Sequence, residues 1–250
     1  KRMGDGLRVG TMLSEMYSPN AAVIMKSAGA DFIIIDCEHG SFGYGAVAAM
    51  VACAKAMDFT MIIRVPLINR EPILKYLEMG ASGILVPMVK NEEDVRRVVE
   101  FSRYKPIGNR GISTTRAHNH YDSSDLNHYM EKSNKTIKIL IQIETKEAVE
   151  NLERIVKVSG ISGLMIGPND LSSDLGDFGN YETDQMQEII QRTAKLSNEN
   201  GLISGMISSN QGLLQKALQA GMDWISWGSE LSMIRAALKK QVIALKGGIV

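Results

Sequence analysis

Two acidic side chains follow neighbouring apolar runs of the chain. Glu144 comes directly after Ile139–Ile143, and Asp170 comes four residues after Gly163–Ile166. Short apolar runs separated by a helix-length segment are typical of parallel strands in a βαβ unit, so both acids should lie at the carboxyl edge of the sheet. Two adjacent carboxylates repel each other, and a hard divalent cation such as Mg²⁺ or Mn²⁺ would resolve that repulsion. The alternative is that each acid caps the helix after it.

A dense polar cluster, Asp36-Cys37-Glu38-His39-Gly40, follows the apolar run Phe32–Ile35. His39 is suited to general acid or base work near neutral pH, and a carboxylate beside it would orient its ring. His39 and Asp36 are therefore candidate catalytic residues. The alternative is that His39 is a solvated loop residue without a role.

Arg64 ends the third apolar run, Met61–Ile63. A guanidinium at a strand end suits a carboxylate or an oxygen that develops negative charge. It would equally form an ion pair with Glu38 or Asp36, and both interpretations can hold together. Gln142 lies two residues before Glu144, on the same side of the pleat, and is a candidate substrate ligand.

The lysines at strand ends do not suit imine chemistry, which needs a dry pocket and a depressed pKa. Lys90 lies in a polar helix start, and Lys138 begins its strand at the opposite edge of the sheet. Because no lysine suits imine formation, a metal is favoured for any carbon–carbon bond chemistry. Carboxylate ligands suit Mg²⁺ or Mn²⁺ but also admit Co²⁺ or Zn²⁺.

Eight apolar runs alternate with eight amphipathic segments along the chain. Strands are predicted near Leu7–Leu13, Asp31–Asp36, Thr60–Val65, Gly83–Pro87, Lys138–Ile143, Gly163–Ile166, Leu202–Met206 and Trp224–Trp227. Helices are predicted near Asn20–Ala28, Gly45–Met57, Glu71–Met79, Glu92–Ser102, Glu147–Val158, Glu182–Asn200, Gln211–Ala220 and Leu231–Leu245. This alternation predicts an α/β fold, a single (β/α)8 TIM barrel over residues 1–250, with catalytic groups at the carboxyl ends of the strands. One long connection, Arg103–Lys135, interrupts the pattern and could contact a neighbouring subunit.

The bulk composition is that of an ordinary globular chain. Of 250 residues, 44% are hydrophobic and 22% charged, and the formal net charge is zero. Neither nucleic acid nor an anionic membrane surface is an expected partner. No apolar run approaches the roughly 20 residues that span a bilayer, and no leader resembles a signal peptide. The two cysteines form no disulfide framework, so a cytoplasmic location is expected.

Several motifs, in order and spacing, resemble those of the HpcH/HpaI aldolase family, the metal-dependent pyruvate aldolases. The matching pieces are Asp36-Cys37-Glu38-His39-Gly40, Arg64-Val65-Pro66, Leu85-Val86-Pro87-Met88-Val89, Gly108-Asn109-Arg110-Gly111, Gln142-Ile143-Glu144-Thr145 and Gly167-Pro168-Asn169-Asp170-Leu171-Ser172. The resemblance covers nearly the whole chain.

The resemblance implies a role for each matching position. Glu144 and Asp170 would hold the metal, and pyruvate would chelate it through its carboxylate and oxo oxygens. Main-chain groups around Gly167 and Asn169 would help to bind that carboxylate.

The resemblance also implies how the reaction proceeds and how the protein assembles. Arg64 would steady the enolate oxygen, and His39 would move the proton of the aldol hydroxyl. Glu78, where the family usually has Asp, would pair with His39. The family usually forms hexamers with the last helix exchanged between subunits, which would place the C-terminal helix and residues 103–135 at interfaces.

The leading hypothesis is a class II aldolase that cleaves a 4-hydroxy-2-oxo acid to pyruvate and an aldehyde, the retro-aldol reaction. A first alternative is a citrate-lyase-like enzyme of the same barrel that acts on an acyl-CoA or phosphoenolpyruvate. A second is a non-catalytic barrel that binds an oxo acid.

Overall fold

Within residues 6–247, which the computed structural model describes, eight parallel strands close into a barrel. In chain order they are β1 (Arg8–Leu13), β2 (Phe32–Asp36), β3 (Thr60–Arg64), β4 (Gly83–Val86), β5 (Lys138–Ile143), β6 (Gly163–Ile166), β7 (Ile203–Ser208) and β8 (Trp224–Ser229). Each strand pairs with the next, and β8 pairs with β1. The predicted (β/α)8 barrel is confirmed.

The strands are buried on both faces because their side chains alternate between two cores. In β2, Ile33 and Ile35 belong to the core between strands and helices, whereas Phe32 and Ile34 belong to a separate core inside the barrel. Phe32 stacks on Trp224 there, with ring centroids 4.6 Å apart. The barrel interior is therefore packed, and the strand ends are left for ligands.

The helices return the chain from the carboxyl ends of the strands to their amino ends. They are α1 (Asn20–Ser27), α2 (Tyr44–Ala56), α3 (Arg70–Glu78), α4 (Glu92–Ser102), α5 (Leu126–Thr136), α6 (Lys146–Glu150), α7 (Leu152–Ile155), α8 (Pro168–Asp174), α9 (Asp184–Glu199), α10 (Gln211–Gln219) and α11 (Glu230–Leu245). No helix within residues 6–247 combines the length and apolar character that a bilayer crossing requires.

The prediction of one continuous helix over Glu147–Val158 is wrong. The chain breaks at Asn151 into α6 and α7. The Asn151 side chain donates to the carbonyl oxygens of Glu147, at 3.0 Å, and of Lys90, at 3.3 Å. A side chain that bonds nearby main chain in this way competes with the helical ladder, which explains the break.

The long connection after α4 is ordered around Arg103. This side chain is 3% exposed, and it donates at 2.9 Å each to the carbonyl oxygens of Asn134, Ile137 and Gly160. The segment contains a short 3-10 turn, Ala117–Asn119, and α5. Its role at a subunit interface stays a prediction.

Candidate active site

Arg64 and Asp36 form a buried, two-pronged ion pair at the carboxyl ends of β3 and β2. They lie opposite each other in the strand register. Arg64 Nε donates to Asp36 Oδ1 at 3.0 Å and Nη2 donates to Oδ2 at 2.7 Å, while Nη1 lies 3.2 Å from Glu38 Oε2. Burial acts to raise the pKa of Asp36, but the hydrogen bonds and charge of Arg64 outweigh it, and the net pKa is lowered. Arg64 is therefore held as a fixed cation.

Asp36 also fixes the main chain beneath His39. Its Oδ1 accepts the N–H groups of Glu38 and His39, both at 3.1 Å. The imidazole itself is 66% exposed, and its Nε2 lies 3.9 Å from Glu38 Oε2. Asp36 thus positions the loop, and Glu38 is the carboxylate beside the ring.

Glu144, at the end of β5, is 1% exposed. Its Oε1 accepts the N–H of Met88 at 2.6 Å, and its Oε2 accepts a short hydrogen bond from Gln142 Nε2. Burial raises the pKa of Glu144 to about 7; the Met88 N–H opposes the rise, and the charges of Glu38 and Asp170 add to it. Glu144 is a carboxylate whose charge the protein alone does not compensate.

Asp170 lies in the first turn of α8, exposed to solvent. Its charge contributes to the raised pKa values of both Glu38 and Glu144, which places the three carboxylates within electrostatic reach of one another. No side-chain hydrogen bond caps α8, so helix capping does not explain Asp170.

Gly167 lies against the carboxylate of Glu144. A Cβ atom at this position would lie 2.6 Å from Gln142 Nε2 and 2.8 Å from Glu144 Oε2. Glycine therefore lets the chain after β6 pass close to these side chains without displacing them. The N–H of Gly167 already donates to the carbonyl of Ile143 at 3.1 Å, so it is not a free donor for a substrate.

Asn169 follows in the first turn of α8, where main-chain N–H groups have no acceptor within the helix. Its Oδ1 accepts the hydroxyl of Tyr181 at 2.5 Å. Tyr181 could not be identified from the sequence, because a contact between loops leaves no periodic pattern.

Glu78 is the one predicted site residue within residues 6–247 that the structure does not bring to the others. It ends α3, which begins near the carboxyl end of β3 and runs back toward the amino end. Nine helical residues cover roughly 13 Å, so the helix carries Glu78 away from His39 of the same chain. Its charge instead acts to raise the pKa values of Tyr104 and Arg110.

Glu38 and Glu230 are site residues that the sequence analysis did not select. Burial raises the pKa of Glu38; Arg64 opposes this, and Asp36 and Asp170 reinforce it. The available signal was the position of Glu38 in the polar cluster that also contains Asp36 and His39.

Glu230 is a buried anchor for the loop between β1 and α1. It begins α11, is 1% exposed, and its Oε1 accepts the N–H groups of Ser14, Glu15 and Met16 at 2.7, 2.6 and 3.2 Å. No sequence motif joins these residues, which lie more than two hundred positions apart.

The donor set fits a hard divalent cation. Glu144 and Asp170 offer carboxylate oxygens, and Gln142 Oε1 is buried without a hydrogen-bond partner. Mg²⁺ is commonly bound through one or two carboxylates with water and substrate in the other positions. In the described part of the chain, no three or more His, Cys, Asp or Glu side chains are grouped so that they alone could hold a metal ion, so water and substrate would have to complete the coordination.

Comparisons with known proteins agree with this geometry. The family model for HpcH/HpaI aldolase/citrate lyase matches residues 11–237. A 5-keto-4-deoxy-D-glucarate aldolase from Klebsiella pneumoniae subsp. pneumoniae is 30% identical over 233 residues, which are 92% of this chain and 90% of that relative.

Two solved structures extend the agreement to three dimensions. The HpcH/HpaI aldolase from Desulfitobacterium hafniense has a TM-score of 0.91 at 28% identity and covers 96% of this chain and 93% of its own. The citrate synthase SbnG has a TM-score of 0.86 at 28% identity, with 97% and 94% covered. The match over most of the chain, together with the site geometry, establishes that the protein belongs to the HpcH/HpaI aldolase/citrate lyase family.

Proposed function

We propose that this protein, a member of a lyase family, is a class II aldolase that cleaves a 4-hydroxy-2-oxo acid to pyruvate and an aldehyde. The observation that carries the proposal is the uncompensated carboxylate of Glu144, buried beside Glu38 and within reach of Asp170. A site that concentrates negative charge next to a fixed Arg64 suits a divalent cation and a bound oxo acid.

Glu144 and Asp170 would hold the metal, as Mg²⁺ or Mn²⁺ or as the related Co²⁺ or Zn²⁺. When bound, such an ion supplies Lewis-acid polarisation of the 2-oxo group. The buried amide of Gln142 would orient Glu144 and contact the substrate. The first turn of α8, at Asn169, would donate main-chain N–H groups to the carboxylate of the oxo acid. Gly167 would contribute space rather than a donor.

Arg64 would stabilise the charge that develops during cleavage. Asp36 and Glu38 occupy only part of its five N–H donors, and the remaining ones can reach an oxygen at the strand ends. Because the pair with Asp36 prevents reorientation, this cation is preorganised for an enolate.

His39 would take the proton of the 4-hydroxyl group. The C3–C4 bond then breaks, the aldehyde leaves, and the electron pair enters the pyruvate enolate. Protonation of the enolate at C3 yields pyruvate. The exposed ring has room to move, and its Nε2 lies 3.9 Å from Glu38 Oε2.

The test is pyruvate release from 4-hydroxy-2-oxo acids, beginning with 5-keto-4-deoxy-D-glucarate because of the Klebsiella relative. The purified protein is treated with EDTA, assayed, and assayed again after each metal is restored. We expect activity to disappear with EDTA and to return with Mn²⁺ or Mg²⁺. Cleavage that persists in EDTA and is trapped by borohydride would overturn the proposal, since it would indicate an imine on a lysine.

The similarity to the citrate synthase SbnG favours a second candidate function, a carbon–carbon bond-forming reaction on an acyl-CoA or phosphoenolpyruvate. Incubation with each donor and an oxo-acid acceptor, followed by mass spectrometry, separates the two. A condensation product without pyruvate release would select this candidate.

We further propose that the chain assembles as a homo-oligomer, a hexamer by family resemblance. The large apolar side chains exposed on α11 support this. They are Leu231, Ile234, Leu238 and Leu245. Such a row on a terminal helix is typical of a surface that another subunit covers.

A further inference from the structure

A cationic cleft lies at the amino ends of the strands, on the side of the barrel opposite the candidate active site. Its volume is about 480 Å³, and Thr60 and Lys138, the first residues of β3 and β5, line it. The cationic or protonatable side chains that line it are Lys55, His118, His120, Lys132 and Lys138. Among the described lining residues, Asp58 is the only acid.

His118 is a buried polar group with an unused nitrogen at this cleft. The residue is 7% exposed, and its Nδ1 lies 2.8 Å from the hydroxyl of Tyr129. Its Nε2 is buried and makes no hydrogen bond of normal geometry within residues 6–247, although the main chain of Ser113 interacts with the ring and acts to raise its pKa. A buried polar atom left without a partner costs free energy, so such an atom beside a cleft indicates a missing ligand.

The lysines of the cleft also lack carboxylate partners. Across residues 6–247, no ion pair involves Lys55, Lys132 or Lys138. Lys55 donates only to the carbonyl oxygens of Ala117 and His118. Burial lowers the pKa of both Lys55 and Lys138, which reflects ammonium groups that are partly desolvated without a counter-charge. An anion in the cleft would offset that cost.

The turn beside the cleft is strained. His120 and Tyr121 are consecutive residues with φ of 57° and 60°, a left-handed conformation that side chains other than glycine adopt at a cost. Strain of this kind persists where the surrounding structure demands it, and it is concentrated at functional sites. Here it places His120 on the wall of the cleft.

We propose that this cleft binds a small, multiply charged oxyanion, namely a phosphate or polycarboxylate group carried by a metabolite. The buried His118 would donate from Nε2, and Lys55 and Lys132 would supply the counter-charge, whereas the ammonium of Lys138 lies over the ring of Trp224. The volume lies within the range of small-molecule sites, so it accommodates more than a bare ion. The site would be separate from the aldolase centre and does not depend on that proposed function, but it does require that the segment 103–135 leave the cleft open in the proposed oligomer.

The experiment is isothermal titration of the full chain, in EDTA and at low salt, with inorganic phosphate, pyrophosphate and tricarballylate. The first two probe phosphate recognition and the third probes polycarboxylate recognition. We expect saturable binding of at least one probe together with a raised melting temperature. Lys132→Gln, His118→Asn and Lys55→Met should each weaken that binding roughly tenfold or more, the value of a charge-assisted hydrogen bond.

Two variants serve as controls. Lys135→Gln removes an exposed charge from the same helix as Lys132 but outside the cleft, and its affinity should stay that of the unaltered protein. Arg64→Met disables the candidate active site, and it should also retain binding. Absence of saturable binding by all three probes overturns the proposal. Binding that Lys132→Gln leaves unchanged, or that Arg64→Met abolishes, overturns it as well. The exposed Lys132 keeps the test valid if His118→Asn fails to fold.

Discussion

At the scale of single residues, the carboxylate of Glu144 is the group of the candidate active site whose burial in charged form costs electrostatic free energy. It is buried beside other acids, and two donors, Met88 N–H and Gln142 Nε2, hold it in one orientation. A buried charge arranged in this way lowers the stability of the fold, and a bound cation would offset that cost.

Glu144→Gln should therefore abolish activity without harming the fold. We expect a loss of about 100-fold or more in kcat, the scale of removing one preorganised electrostatic contact. The melting temperature in EDTA should stay equal or rise, because the substitution removes a buried charge. Addition of Mn²⁺ should stabilise the unaltered protein but not the variant. Differential scanning fluorimetry measures this stabilisation. If Mn²⁺ stabilised both proteins equally, the result would contradict this assignment.

Gly167→Ala tests the tight contact at the end of β6. The new Cβ would lie under 3 Å from the side chains of Gln142 and Glu144, so it must displace the carboxylate. We expect kcat to fall about 100-fold. Gly212→Ala, within α10, is the matched control: its Cβ meets no atom closer than 3.4 Å, and activity should be unchanged. Steady-state kinetics of both variants provide the measurement.

His118 makes the stability of the fold depend on pH. Burial, followed by the charges of Arg110 and Lys55, lowers its pKa to about 4 from 6.5, and Arg116 adds to this effect. Between pH 6.5 and about 4 the unfolded chain therefore binds a proton that the folded chain does not. The free energy of unfolding should fall as pH decreases through that window.

Urea unfolding at several pH values measures this dependence. His118→Gln should flatten the slope between pH 6.5 and 4, whereas replacing the exposed His128 in the same way should not. Equal slopes in the two variants would show that another group is responsible.

The strand-end rule located Asp36, Arg64 and Glu144 from the sequence alone, because each directly ends a short apolar run. Glu78 illustrates its limit. A position on a helix after the strand has no such constraint, and only the length of α3 decides at which end of the barrel it lies. Glu230 was beyond reach for another reason, since its partners are distant in the chain and bond through their main-chain N–H groups.

At the scale of elements, Glu230 connects the first and last parts of the barrel. Its carboxylate gathers three consecutive N–H groups of the loop after β1 and so fixes that loop to the start of α11. The loop leaves β1 at the carboxyl edge, beside Asp36 and His39 on the neighbouring strand. Glu230 is thus a positioning residue for one wall of the candidate active site.

Glu230→Gln should destabilise the fold by about 1–3 kcal/mol, the range for hydrogen bonds to a charged group. A loosened loop should also raise KM more than it lowers kcat. Urea unfolding and steady-state kinetics measure both effects, with Glu15→Gln as the control, because that side chain is exposed. An unchanged KM would show that the loop has no part in substrate binding.

Strands and helices were predicted correctly where burial leaves a periodic pattern of apolar residues. They were predicted incorrectly where one side chain determines the local backbone conformation. The strands were found because both faces are apolar. The interruption between α6 and α7 was not, because it depends on Asn151 reaching Lys90 across the barrel exterior. Likewise, α8 was not predicted as a helix of its own, because it begins directly after Gly167, at the end of β6.

At the scale of the whole molecule, the exposed apolar row on α11 should determine assembly. Leu238→Lys, at the centre of that row, should shift the protein to smaller species in size-exclusion chromatography with light scattering, because a buried ammonium is costly at an interface. Lys240→Gln, exposed on the same helix, should leave the mass unchanged. If Leu238→Lys elutes at the mass of the unaltered protein, this face is not the contact between subunits.

Met88 has a consequence for how this enzyme can be altered. Its main-chain N–H donates a hydrogen bond to Glu144, and its φ is 55°, while its side chain is 50% exposed. Because the main-chain N–H makes this contact, the side chain can vary without removing the hydrogen bond to Glu144. Saturation mutagenesis at this one codon would therefore change an exposed side chain while the main-chain contact stays in place, with the glycine variant as the member whose left-handed backbone carries no strain.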